Sequence, residues 1–145
     1  MTTATEEKVG LFIASYRIGG DMPGAPTFTV NLSVYTPAKK VSGAGHITQA
    51  VNPPVNIGTR LEGEYTYMCV MPHNCHILVK ATGYPIIKWP KHGGVGPVIL
   101  PNAELWMVLE EDWSKGQAHY NYMDAEGNWH EVENATVEQI EPEKM

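Results

Sequence analysis

Basic residues are scarce and scattered. Ten Lys and Arg stand against sixteen Asp and Glu, a formal net charge of −6, and no pair is denser than Lys39 and Lys40. A nucleic-acid binder gathers basic side chains into a stripe that releases counterions, so that partner class is excluded. Also lacking is any run of 18 apolar residues, which excludes a helix spanning a membrane. The opening stretch MTTATEEKVGLFIAS has no basic segment, and Val9 to Ala14 is shorter than the apolar part of a secretion signal, so no signal peptide is expected. Cysteines number two, which gives no disulfide framework and, without a signal, points to a reducing compartment. The expectation is therefore cytoplasmic, with export by a route lacking a cleaved signal left open.

Convincing helix caps around an amphipathic stretch of ten residues are absent too, and little helix is expected. What the 145 residues do contain is apolar period two, with 43% hydrophobic residues and enough length for one core. From Thr27 to Thr36, Phe28, Val30, Leu32 and Val34 alternate with Thr29, Asn31, Ser33 and Tyr35. Similar runs are Val9 to Ile18, Val41 to Val51, Arg60 to Met71, Cys75 to Tyr84, Glu104 to Glu111, Gln117 to Asp124 and Trp129 to Ile140. Turn signals fall between them, including NPPVNIG at 52–58, DWSKG at 112–116 and DAEGN at 124–128. This predicts an all-β, antiparallel up-and-down meander of about eight strands in a closed or nearly closed barrel, the alternative being a two-sheet β-sandwich. The single domain should cover 9–140, with tails at 1–8 (flexible) and 141–145. One connection, Pro85 to Asn102, is long enough to suggest a binding or lid role.

The string CVMPHNCH at 69–76 holds both cysteines and two of six histidines. In strand parity Cys69 and Cys75 share the inward face with Tyr65 and Tyr67, while His76 looks outward. A three-residue loop, Pro72 to Asn74, places Met71 opposite Cys75 and Cys69 opposite Ile77. The cysteines would then lie on a diagonal, ~7 to 8 Å apart at Cα, too far for a disulfide without a local bulge. The spacing fits no zinc site, so the expectation is two free cysteines packed in the core, with no metal and no cofactor.

Other constellations are open to more than one reading. Tyr65 and Tyr67 on one strand, and Tyr120 and Tyr122 on another, could wall a small-molecule pocket with orienting hydroxyls, or be core residues. Gly43 and Gly45 face inward and leave room for a ligand or for a covering ring such as Tyr65 or Tyr67. Trp89 and His92 sit in the long loop, where Trp89 is either a recognition anchor or a plug for the barrel end. Glu111 could turn one carboxylate inward, though a solvated strand end is the plainer reading. HGGVGP is followed by neither Lys-Ser/Thr nor a helix, and DAEGNWHE lacks the spacing of a calcium loop and reads as a hairpin turn with Gly127 left-handed.

The strings GHITQAVNPP, EYTYM, GYP with WP, GPVILPN and GNWHEV resemble those of an uncharacterised bacterial family catalogued as domain of unknown function 1842, over roughly Val9 to Ile140. The resemblance implies a bacterial source and a small stand-alone domain, and it carries no activity, cofactor or catalytic residue. The residues themselves point first to a non-catalytic binder of a small, partly apolar ligand or a protein partner. Its candidate contacts are Tyr65, Tyr67, Trp89, His92, Tyr120 and Tyr122. The alternatives are a barrel enzyme of lyase, cyclase or isomerase type using Tyr and His near the mouth, and a homo-oligomerising module with a filled core.

Overall fold

A computed structural model of the chain describes residues 10–20, 22–51, 54–71, 74–86 and 100–140. Eight strands, β1 (Leu11–Gly19), β2 (Thr27–Tyr35), β3 (Lys40–Gln49), β4 (Val55–Met71), β5 (Asn74–Pro85), β6 (Ala103–Glu110), β7 (Lys115–Met123) and β8 (Trp129–Ile140), pair antiparallel in chain order. Closure comes from β8 against β1, Ser15 to Ile18 facing Ile140 to Val137. The result is the closed up-and-down barrel, with one short 3₁₀ turn at Thr36–Ala38. The expected tails at 1–8 and 141–145, together with Val9, lie outside the described residues.

Alternation in sequence becomes alternation in space. Phe28, Val30, Leu32 and Val34 are all buried, as are Leu105, Met107 and Leu109 on β6. An eight-stranded barrel is just wide enough for such side chains to fill it, and Tyr16, Leu61, Ile77 and Tyr120 complete the packing. Gly45 makes one of these contacts possible: any Cβ there would run into the Phe28 ring. The ring covering β3 is thus Phe28 from the neighbouring strand, not Tyr65 or Tyr67. Strand β4 starts earlier than the turn signals imply, because Asn56, Ile57 and Gly58 already pair with Thr48, Ile47 and His46. Glu111 is exposed in the β6–β7 turn.

The upper end, which carries the β2–β3, β4–β5 and β6–β7 connections, is closed by Trp113. This turn residue is 1% exposed and adopts φ 68. Phe12 and Tyr65 meet its ring edge-on at 5.3 and 5.0 Å, and the buried Tyr16 hydroxyl donates to its carbonyl at 2.8 Å. At the lower end Asn102 fixes the end of the β5–β6 connection. Its amide donates to Gly58 O at 3.2 Å, its carbonyl oxygen accepts from Thr59 Oγ1 at 2.7 Å, and its backbone bonds both Gly83 and Met123.

The cysteines depart most from expectation: they form a disulfide. Cys69 faces Cys75 directly with Cα atoms 4.1 Å apart, and an irregularity follows at Met71 and Asn74, so the register is two residues away from the one a Pro72–Asn74 loop predicts. Nor are they core residues; Cys69 is exposed and Cys75 half-buried. Parity is right, but the wall is missing. Strand β4 outruns β3, whose last partner is Glu64, and β5 outruns β6 beyond His76, so an arm projects above the rim. A two-stranded ribbon is marginal alone, and the disulfide ties it where lateral partners end.

Tyr120 is wholly buried between Phe28 and Tyr122, and its hydroxyl has no hydrogen-bond partner among the described residues. Burial, and secondarily Tyr122, raises its pKa above the ordinary tyrosine range. An unpaired buried hydroxyl costs roughly 1–3 kcal/mol. Tyr120→Phe is therefore expected to stabilise the fold by about 1 kcal/mol in a denaturant titration; a loss of stability would show that the hydroxyl has a partner.

Candidate functional site

The four described candidate residues do not converge on one site. Tyr65 packs under Trp113 at the upper end, and Tyr67 stands 44% exposed on the arm, its ring 5.9 Å from Tyr65 and 6.0 Å from Lys39 Nζ. Tyr120 belongs to the packed interior. Tyr122 closes the opposite, lower end. Trp89 and His92 lie outside the described residues.

Around Tyr122 a mouth of about 370 Å³ opens between the β3–β4 and β7–β8 connections. Val51, Val55 and Ile57 give it an apolar wall, while Gln49, Asn56, Asp124 and His130 supply polar atoms. Register puts His130 directly across from Tyr122. The two rings stack at 5.1 Å with planes 21° apart, and the Tyr122 hydroxyl lies 3.5 Å from Gln49 Oε1. His130 points along the inner face, as Val132 does, but beyond the rim, so it is half exposed.

Asp124 orients this histidine. Its Oδ2 is 2.7 Å from His130 Nε2, and its Oδ1 accepts from the backbone N–H of Glu126 and Asn128, both at 2.9 Å. Gly127, at φ 87, completes the turn in the expected left-handed conformation. The hydrogen bond from His130, and then those from the backbone, hold the Asp124 carboxyl below the usual aspartate range. Burial, with Asp124 second, raises the Tyr122 phenol instead. The mouth can therefore stack, donate and accept, and it presents one histidine held by a carboxylate.

A depressed folded-state pKa stabilises above the unfolded value and is lost as pH falls through the folded one. Asp124 should thus titrate below about 3.9, and the β7–β8 turn should keep its order through mildly acid pH. Carboxyl ¹³C shifts will show this, and His130→Ala should move the midpoint upward; an unchanged midpoint would remove His130 as the main cause.

Sequence reading missed Asp124, His130, Gln49 and Ile57 as one cluster. A signal was present: a five-residue turn from Asp124 to Asn128 places residues 122 and 130 opposite one another. Trp113 was missed because turn residues read as surface.

Fold and mouth together define a small up-and-down β-barrel with a packed core and a stacked Tyr122–His130 pair at its lower rim. The chain belongs to the family described as domain of unknown function 1842, whose model matches residues 9–129. That match ends at the first residue of β8. No curated protein matches the chain. Among the described residues no helix is long and apolar enough to cross a membrane.

Proposed function

We propose that the protein binds, without chemical conversion, a small and partly apolar molecule at the lower mouth. The observation carrying this reading is the arrangement of Tyr122, His130, Gln49 and the Val55–Ile57 wall around one opening of about 370 Å³. Pockets of ~300 Å³ and more with apolar walls and few polar groups are the usual small-molecule sites. With the interior occupied by side chains, binding falls to the rim. Asp124 and Glu126 line it, with no Lys or Arg among the described lining residues, which favours a neutral or cationic ligand bearing a flat ring.

Native mass spectrometry of the protein purified from its own source tests this. A retained small molecule, lost in Tyr122→Ala and His130→Ala, is the expected result. Absence of any bound mass, or its equal retention in both variants, would defeat the reading. One observation favours a second reading, a lyase or isomerase: Asp124 holds His130 Nε2 and leaves Nδ1 for a substrate proton. Incubating the recovered ligand with fresh protein separates the two, since a binder returns it unchanged.

A further inference from the structure

A second concavity lies away from the mouth, on the outer wall of β5 to β8. It measures about 460 Å³, and its chemistry is different. Trp106 projects outward between the buried Leu105 and Met107, in register with His119 on β7. Their rings meet edge to face at 5.3 Å, and His119 Nε2 lies 3.7 Å from Glu131. Gln117, Asn134, His76 and Glu110 surround the indole.

The hollow follows from backbone irregularities. Between Ala118–Ala135 and Tyr120–Val132 the β7–β8 register slips, so that Glu133 and Asn134 together oppose His119, with Asn134 at φ 55. Such a bulge bends a strand and re-aims its side chains. Gly116 at the edge of the depression lets β6 approach closely, since any Cβ there would strike the Val108 carbonyl.

We propose that this outer-wall depression binds a neutral saccharide, seating one pyranose ring on Trp106. A sugar ring is amphipathic: its C–H face suits an indole, and its edge hydroxyls need paired donors and acceptors. Gln117 and Asn134 each offer both, and His76, His119 and Glu110 add more. Among the described residues the lining itself contains no Lys or Arg and carries the Glu110 carboxylate, which disfavours an anionic phosphate or sulfate; the nearest cation is Lys80, across from Trp106 on β5. A wholly apolar ligand on so open a wall would leave much of its surface in water, whereas a saccharide leaves hydroxyls there.

¹⁵N-detected titration of the whole chain with chitotriose, cellotriose and maltotriose, each to about 10 mM, decides the matter, Kd values near 1 mM being readable. At least one trisaccharide should shift the Trp106 indole N–H and the Gln117 and Asn134 side-chain amides. Trp106→Ala should weaken binding at least tenfold, and Tyr122→Ala should leave it unchanged. Should Trp106→Ala fail to fold, Gln117→Ala should still weaken binding severalfold. No shift with any of the three, shifts confined to Tyr122 and His130, or undiminished affinity in the folded variants would overturn the proposal. These readouts are independent of whether the mouth holds a ligand.

Discussion

Replacing Trp113 with alanine is expected to cost about 4 kcal/mol of stability, within the roughly 3–5 kcal/mol range for buried Trp or Phe truncations. The indole is the closure of the upper end; Phe12 and Tyr65 pack on it at 5.3 and 5.0 Å. Without it those rings lose their partner and the top of the core opens to water. Alanine leaves the φ of 68 as strained as before, so no backbone relief offsets the lost contacts. Trp113→Gly, which relieves that strain, should recover roughly 1 kcal/mol relative to alanine. For a chain of this size the melting temperature should fall by on the order of 10 °C. Trp129→Ala is the control, since Trp129 is 47% exposed and its loss should fall within about 0.5 kcal/mol. Calorimetry of the three variants checks the ordering, and a Trp113→Ala cost no larger than that of Trp129→Ala would end the account of Trp113 as the plug.

Removing the disulfide should act locally. A cross-link over a separation of 6 residues restricts the unfolded chain by about 2 kcal/mol in the loop-entropy account. Among the described residues the arm it ties has no strand partner on the β3 side beyond Tyr65, whose N–H still reaches Lys39 O. Cys69→Ser with Cys75→Ser, or thiol reduction, should therefore lower hydrogen-exchange protection across Thr66–Met71 by ~30-fold, taking ~1.4 kcal/mol per factor of ten. Amides of Val30, Leu61 and Met107, deep in the closed wall, should keep theirs. Loss of protection in those core strands as well would mean that the arm and barrel open as one unit, and unchanged arm amides would mean that strand pairing alone suffices.

The two predictions concern the two features least legible in the sequence, and for related reasons. Trp113 sits in a turn flanked by Asp112 and Ser114, where Asp112 Oδ1 accepts from both the backbone N–H and the hydroxyl of Ser114, the mark of a surface turn. Local chemistry gives no hint that the chain folds the ring back over the core. For the cysteines, parity correctly assigns Cys69 and Cys75 to one side of the hairpin, but not their pairing. The register of a three-residue tip and the observed register, with its irregularity at Met71, preserve the same parity, and only the second brings the sulfurs together.

Period-two hydrophobicity and turn residues alone determined the eight strands, their order and their inward sets, because each depends on a residue and its nearest neighbours in the chain. Val41 to Val51 and Lys40–Gln49, or Trp129 to Ile140 in both cases, differ by little at the ends. What only the tertiary structure decided is how far each strand runs past its neighbours. That stagger turns inward-facing Tyr67 into an exposed arm residue, leaves His130 at a rim beside Tyr122, and parts Tyr65 from Tyr122 by the length of the barrel. Parity repeats every two residues and carries no record of where an adjoining strand stops. The placement of these side chains therefore had to come from the closed sheet itself.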